Sequence, residues 1–283
     1  MKLPRQMGLG LRAPLHAQAL ANPTAVGFWE AHTENYLRPS YAQDVLLTLA
    51  QYRPISLHGV AMSLAGPDPL DDKLLAQTAG LIEKVKPAAI SEHFAWSLAG
   101  GRTFNDLLPA PLLRSTLNHM VARVDHVQQK LGCQILIENP STYLEFIEQE
   151  LSEPELLNEL AQRTDCGLLL DLNNLRVNEL NHGLSAATYL NNIYWPSVQE
   201  LHVAGYQTEV IQGQSVAIDS HAASVSPAVW RLFERVIDKH GAMPSLLERD
   251  GNIPKLEALL AEVATGKQII DQHSLEHTDA MAE

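Results

Sequence analysis

Gly167-Leu168-Leu169-Leu170-Asp171 is a short apolar run that closes on a carboxylate, with Asn173 and Asn174 just beyond it. A run this short, stopped by polar residues, reads as a strand buried on both faces rather than a core helix. Runs of the same build recur outward in both directions. Downstream they fall at 198–203 and 244–248; upstream they fall at 134–138, 89–93, 55–59, 27–32 and 8–12. Stretches of helical period separate them, clearest where Leu113, Leu117, Met120, Val124, Val127 and Leu131 recur every three or four residues and so share one face. Eight strands, each followed by a helix, predict an α/β fold, a single (β/α)8 TIM barrel. A doubly wound sheet would need a Gly-rich first turn, and Gly8-Leu9-Gly10-Leu11-Arg12 lacks the third glycine at the required spacing.

The reading gives one barrel domain over residues 1–266 and a polar, aperiodic tail at 267–283, expected to be mobile. Longer non-helical stretches at 95–108 and 204–225 would lie over the barrel mouth. Composition narrows the function. With 20 basic against 33 acidic residues the formal charge is −13, which repels phosphate backbones and argues against nucleic acid as a partner. No apolar run reaches the roughly 20 residues that span a bilayer, so no membrane role and a cytoplasmic location are expected. Cys133 and Cys166 are too few for a disulfide framework and receive no chemical role.

The chemistry lies in how the runs end. They close on His58, on Glu92-His93, on Glu138-Asn139, on Asp171, on Glu200-Leu201-His202 and on Glu248-Arg249-Asp250, while the loop after the seventh carries Asp219 and His221. In a (β/α)8 barrel the carboxyl ends of the strands converge on one pocket. Ionised carboxylates about 4 Å apart repel by about 4 kcal/mol at an effective dielectric of 20, so several cannot gather there without cations. Imidazole and carboxylate together suit Zn, Fe, Mn or Co. The candidate ligands are His58, His93, Glu138, Asp171, Asn173, His182, His202, Asp219, His221 and Glu248, ten donors that fit two or three bridged ions. Strand alternation would put Asn173 rather than Asn174 on the side of Asp171. His32 and Glu34, from the second loop, are candidates to line the pocket; Trp96 and Asn105, in the fourth loop, are candidates to bind substrate.

At these residues the sequence resembles a known family. The strings Ser-Leu-His-Gly-Val (56–60), Ser-Glu-His-Phe-Ala-Trp-Ser (91–97), Glu-Asn-Pro-Ser-Thr-Tyr-Leu (138–144), Leu-Leu-Leu-Asp-Leu-Asn-Asn (168–174), Leu-His-Val-Ala-Gly (201–205), Ile-Asp-Ser-His (218–221) and Leu-Glu-Arg-Asp (247–250) are similar to those of the multinuclear non-haem iron-dependent oxidative enzymes. The resemblance implies a xylose-isomerase-like barrel holding two or three irons, mixed-valent Fe2+/Fe3+, with O2 as co-substrate. It further implies oxidative modification of cysteines in a ribosomally made precursor peptide, helped by a partner protein that presents the peptide. On that reading the ten residues above are the metal ligands, Glu138, Asp171 and His202 are catalytic, and Tyr206, where the family often has His, borders the substrate. Two other readings use the same residues. One is a redox-neutral metalloenzyme, either a sugar isomerase or epimerase or an endonuclease-type phosphodiesterase; the other is a non-catalytic metal-binding scaffold, although a structural site usually closes with about four ligands.

Overall fold

The structure, a computed structural model, describes residues 2–279, with side chains described through His273. Its strands are β1 (Met7–Leu11), β2 (Trp29–His32), β3 (Ile55–His58), β4 (Ala89–His93), β5 (Trp96–Ala99), β6 (Arg102–Leu108), β7 (Leu136–Glu138), β8 (Gly167–Asp171), β9 (Val198–Val203), β10 (Gln207–Ile211), β11 (Gln214–Ile218) and β12 (Ser245–Leu247). Eight of them, β1, β2, β3, β4, β7, β8, β9 and β12, pair in parallel in chain order, and β12 returns to β1 to close the barrel. These are the eight strands read from the sequence. The two stretches expected as mouth loops are instead antiparallel hairpins, β5–β6 and β10–β11.

The helices are α1 (His16–Ala21), α2 (Tyr41–Leu49), α3 (Asp72–Val85), α4 (Arg114–Leu131), α5 (Glu153–Thr164), α6 (Leu172–His182), α7 (Ala186–Asn192), α8 (Pro227–His240) and α9 (Leu256–Asp279). Local chemistry sets their starts. Ser152 and Glu155 form a reciprocal capping box at α5, and Ser226 accepts from the Val229 amide ahead of Pro227 at α8. The helical face predicted at 117–131 is buried. The sequence boundary at 266 falls inside α9, which runs on through Asp279 because Ile270 packs into the core and Gly266 lets the helix approach Met7; residues 280–283 lie outside the described residues.

Alternation along the strands sorts the chemistry. Leu9, Leu57, Ile90, Ile137, Leu170 and Leu201 face outward and join the helices in one apolar core. The opposite rows, which face the barrel axis, carry Glu30 and His32, Ser56 and His58, Ser91 and His93, Glu200 and His202. An ordinary barrel fills this space with branched apolar side chains. Here Phe28, Leu136, Leu169 and Leu246 fill only part of it, and the rest, up to the carboxyl end, is polar.

Candidate metal centre

Glu138, the last residue of β7, is the hub. Its Oε2 lies 3.4 Å from His58 Nε2 and 3.2 Å from His93 Nε2, the side chains that β3 and β4 bring in from the same barrel end. Ligand-capable atoms of His58, His93 and Glu138 all fall within 4.8 Å of one another; so do those of Glu138, Asp171 and His202, those of Asp171, His221 and Glu248, and those of His32, His58 and Glu248. Shared members link the four groups into one continuous cluster. A cavity of about 180 Å3 opens onto it, lined by His32, His58, His93, Glu138, Asp219, His221 and Glu248.

Neighbours fix the orientation of these side chains. His93 Nδ1 donates to the Gly59 carbonyl at 3.1 Å, which leaves the Nε2 lone pair facing Glu138. His58 Nδ1 pairs with Ser91 Oγ at 2.7 Å. Asp171 ends β8 and caps α6, accepting from the Asn174 amide at 2.7 Å through Oδ1 only. Asp219 is held on three sides: Asn173 Nδ2 and Ser141 Oγ donate to its carboxylate at 2.7 and 3.0 Å, and its own amide donates to Tyr143 Oη at 2.9 Å. His202 lies between two acids, with Nδ1 3.2 Å from Glu248 and Nε2 3.2 Å from Glu30.

The electrostatics are those of a centre short of positive charge. Burial raises the Glu138 carboxyl well above its usual range, the neighbouring Asp171 and Glu248 adding to the effect, and burial with Asp219 nearby pushes Asp171 up to about 7. Burial pushes His93 down to about 4 and His58 well below its usual value, so both imidazoles are neutral donors. Burial opposes charge on His202 as well, yet Glu30 and Glu248 carry it well above its ordinary value. Arg12 donates to Glu248 at 2.9 Å, pairs with Asp250, and reaches His32 Nε2 at 2.8 Å. Meanwhile Glu138 Oε2, Asp171 Oδ2 and Asn173 Oδ1 are buried without any hydrogen-bond partner. Orphaned oxygens beside neutral imidazoles are the donor set of a cation site, and the residues present fit bound metal.

Of the ten expected ligands, His182 is not brought to the cluster. It ends α6, where Nε2 contacts the Thr142 carbonyl at 2.8 Å and Nδ1 faces Glu145, because the helix carries it away from the strand ends. The alternation that favoured Asn173 stops at Asp171, since α6 begins at the next residue. Asn173 reaches Asp219 by helical geometry, while Asn174 lines the cavity and approaches Glu138 Oε1 at 3.4 Å. Among the expected pocket residues, only His32 lines the cavity. Glu34 instead accepts from the Val60 and Ala61 amides, and Trp96 donates to the Pro109 carbonyl and packs on Phe104 within the hairpin. Asn105 is exposed on β6, whose Asp106 and Leu107 line the cavity in its place, and Tyr206 bonds Arg176. Sequence reasoning missed Arg12, Glu30 and Glu200. Each was legible as a polar residue on the inward row of a strand, two positions from a residue already singled out or at the strand's carboxyl end.

Comparison with known proteins agrees with this arrangement. A UPF0276 protein of Bordetella parapertussis is 46% identical over 264 residues, covering 92% of this chain and 91% of its own length. One from Vibrio vulnificus is 38% identical over 276 residues, covering 97% and 94%. Among solved structures, a xylose isomerase-like TIM barrel protein from Mycobacterium smegmatis in complex with magnesium superposes with a TM-score of 0.60 at 15% identity, over 95% of this chain and 97% of that one. The E. coli 3-keto-D-glucoside 4-epimerase also scores 0.60, at 12% identity over 93% and 99%. These two show the fold. The profile of the RiPP precursor modification enzymes MbnB/TglH/ChrH matches residues 6–271, and the chain belongs to that family, the multinuclear non-haem iron-dependent oxidative enzymes.

Proposed function

We propose that this protein is an iron-dependent oxidoreductase that uses O2 to modify cysteine residues of a ribosomally synthesised precursor peptide, with a partner protein presenting the peptide. The observation that carries the reading is the trio of buried, partnerless oxygens on Glu138, Asp171 and Asn173, the first of them facing the neutral imidazoles of His58 and His93, within a family of precursor-modifying enzymes. Two or three irons, in mixed Fe2+/Fe3+ valence, would be held by His58, His93, Glu138, Asp171, Asn173, His202, Asp219, His221 and Glu248. When bound, iron supplies a redox couple for O2 and a Lewis acid that holds the substrate sulfur as thiolate.

The chain's own residues set the geometry. Glu138, Asp171 and His202, whose ligand atoms all fall within 4.8 Å of one another, take the catalytic positions. Glu30 fixes the His202 ring from below; against burial, His221 and His202 hold the Glu248 carboxyl well below its usual range, and Arg12 pairs with both Glu248 and Asp250. Ser141 and Tyr143 hold Asp219 at the wall, while Val60, Asp106 and Leu107 narrow the space from which water must be excluded. His32, whose Nε2 lies 2.8 Å from Arg12 and 3.4 Å from Glu248, faces the substrate from the cavity wall. No lysine lines the cavity among the described residues, so the redox-neutral isomerase reading lacks the base it would most often use.

The test is metal analysis of the anaerobically purified protein, followed by mass spectrometry of a Cys-containing precursor peptide incubated with it. A mass change that needs both ferrous iron and O2 is expected. Stoichiometric zinc with no mass change after ferrous reconstitution refutes the proposal.

A further inference from the structure

A second and larger cavity, about 350 Å3, lies beside the metal centre as an open groove between the segment 109–112, the stretch 140–154 and the α6–α7 connection. The irregular segment 140–144 is the wall between the two spaces. Ser141 and Tyr143 line the metal cavity, Thr142 and Leu144 line the groove, and Pro140 touches both. The groove is mostly apolar, and its large side chains are only partly covered: Leu144 is 63% exposed, Leu184 53% and Phe146 39%. Single exposed apolar residues are ordinary, but three around one concavity form a patch that invites a partner.

Charge narrows the identity of that partner. Two carboxylates, Glu145 and Glu153, line the groove, and among the described residues no Lys, Arg or His does. Glu153 is half-buried, with Oε1 already accepting from Tyr189 Oη at 2.8 Å, so the carboxylate is fixed in place and turned to the groove without a cation of its own. Such a group favours a positive charge brought in by a ligand. An anionic membrane surface is disfavoured by the same acids.

We propose that this groove is a docking subsite for an apolar segment of the substrate peptide that also carries a Lys or Arg, the basic side chain pairing with Glu153. This rests on the peptide-modifying reading above. Residues 141 and 143 face one space and 142 and 144 the other, so a single extended segment separates them and a peptide that occupies both passes over it. The docked segment therefore lies close in sequence to the cysteine offered to the metal centre, and a spacing of about four residues, about 14 Å when extended, probes it.

Fluorescence anisotropy with the full-length protein, metal-loaded and chelator-treated, tests this. The probes are fluorescein-labelled dodecapeptides with one Cys and a Leu-Leu-Lys segment four residues away, against counterparts with Ser-Ser-Lys and Leu-Leu-Glu. The Leu-Leu-Lys probe is expected to bind at least about tenfold more tightly than either counterpart, a difference that burial of one large apolar side chain supplies against Ser-Ser-Lys and that attraction in place of repulsion at Glu153 supplies against Leu-Leu-Glu. Leu144→Asp with Leu184→Asp removes that advantage, both positions being exposed enough to leave the fold intact by circular dichroism. Glu153→Gln independently reduces the preference for Lys over Glu to less than about threefold. Chelation removes whatever affinity the Cys thiolate contributes but leaves the ratios among the three probes unchanged, since the groove does not touch the metal. Equal binding of all three probes, or full affinity in the double variant, overturns the subsite. The same peptides incubated with ferrous iron and O2 keep the two readings apart: groove-dependent binding without any mass change sinks the oxidase and leaves the groove standing, whereas a mass change indifferent to the groove variants does the reverse.

Discussion

Replacing Glu138 with Gln should have opposite effects on the metal-free and metal-loaded protein. Ligand atoms of Glu138, Asp171 and His202 lie within 4.8 Å of one another, so the two carboxylates repel by about 3 kcal/mol or more at an effective dielectric of 20 when both are ionised. At pH 6 Asp171, pushed up to about 7, is largely protonated and that repulsion is mostly absent; at pH 9 Asp171 is ionised, and Glu138, raised well above its usual range by burial, either meets that repulsion or stays protonated at a comparable cost. Gln keeps the shape, removes the charge, and turns an amide N–H toward the Nε2 lone pairs of His58 and His93, where Glu138 Oε2 now stands without a partner. In chelator the variant should therefore melt near wild type at pH 6 and roughly 6 to 12 °C above it at pH 9, given 2–4 °C per kcal/mol for a chain of about this size. With metal the order reverses. Loss of an outer partner of a ligand typically lowers affinity about 10- to 100-fold, and loss of the shared donor itself should exceed about 100-fold. Thermal melts in chelator at the two pH values, with anaerobic Fe2+ titration of both proteins, measure the two arms. A metal-free variant that melts below wild type at pH 9 would show that Glu138 is not held against its neighbours' charge. Unchanged Fe2+ affinity would remove it from the centre.

Metal-stripped wild type should be most stable near about pH 4 to 5 and lose stability from there to about pH 8. Asp171 at about 7 and Glu200 at about 8 are raised acids, so above the ordinary carboxylate range the native state holds two extra protons, whereas His93, at about 4, is neutral when folded and offsets only one of them up to about pH 6.5. Chemical denaturation across pH 4 to 9 checks this, and a monotonic rise to pH 9 contradicts it. Glu30→Ala frees His202 Nε2 and should lower Fe2+ affinity about 10- to 100-fold without unfolding the barrel, as titration and circular dichroism would report. His182→Ala should leave metal stoichiometry unchanged and remove only its hydrogen bond to the Thr142 carbonyl, about 1 kcal/mol of stability. A fall in bound iron by elemental analysis would return His182 to the ligand set.

The barrel was legible because strand and helix periods differ, and because each strand candidate closed on a residue unlike those before it. The mouth hairpins were not. In β10, Gln207, Thr208, Glu209, Val210 and Ile211 are all exposed, so burial imposes no alternation for a reader to detect. His182 was misplaced for a related reason. Its chemistry matches a ligand, but position in a helix, eleven residues beyond the strand end, depends on where α6 starts, and Asp171 serves as both strand end and helix cap. Asn173 shows the reverse case, where a strand argument reached a residue that helical geometry delivers to Asp219.

Glu30 and Glu200 stayed hidden because they lie in mid-strand, where a lone acid reads as solvated surface. Both are fully buried, with Glu30 holding His202 and Glu200 accepting from Ser56 Oγ at 3.3 Å, and each keeps one oxygen without a partner. The apolar rows that anchor these strands face outward, so nothing about the barrel's cohesion requires acids along its axis. Replacing them with branched apolar residues would fill the interior as other barrels do and remove the strain of buried charge. That the axis is instead lined by carboxylates from β2 and β9 up to Glu138 and Glu248 means the stripped chain holds protons on several of them, as the raised Glu138, Asp171 and Glu200 carboxyls show, and cations at the mouth would take the place of those protons, with the His202 imidazole bridging Glu248 to Glu30. Folding stability and metal loading are therefore one property of this protein, and the pH dependence of the stripped chain reads out how far they are joined.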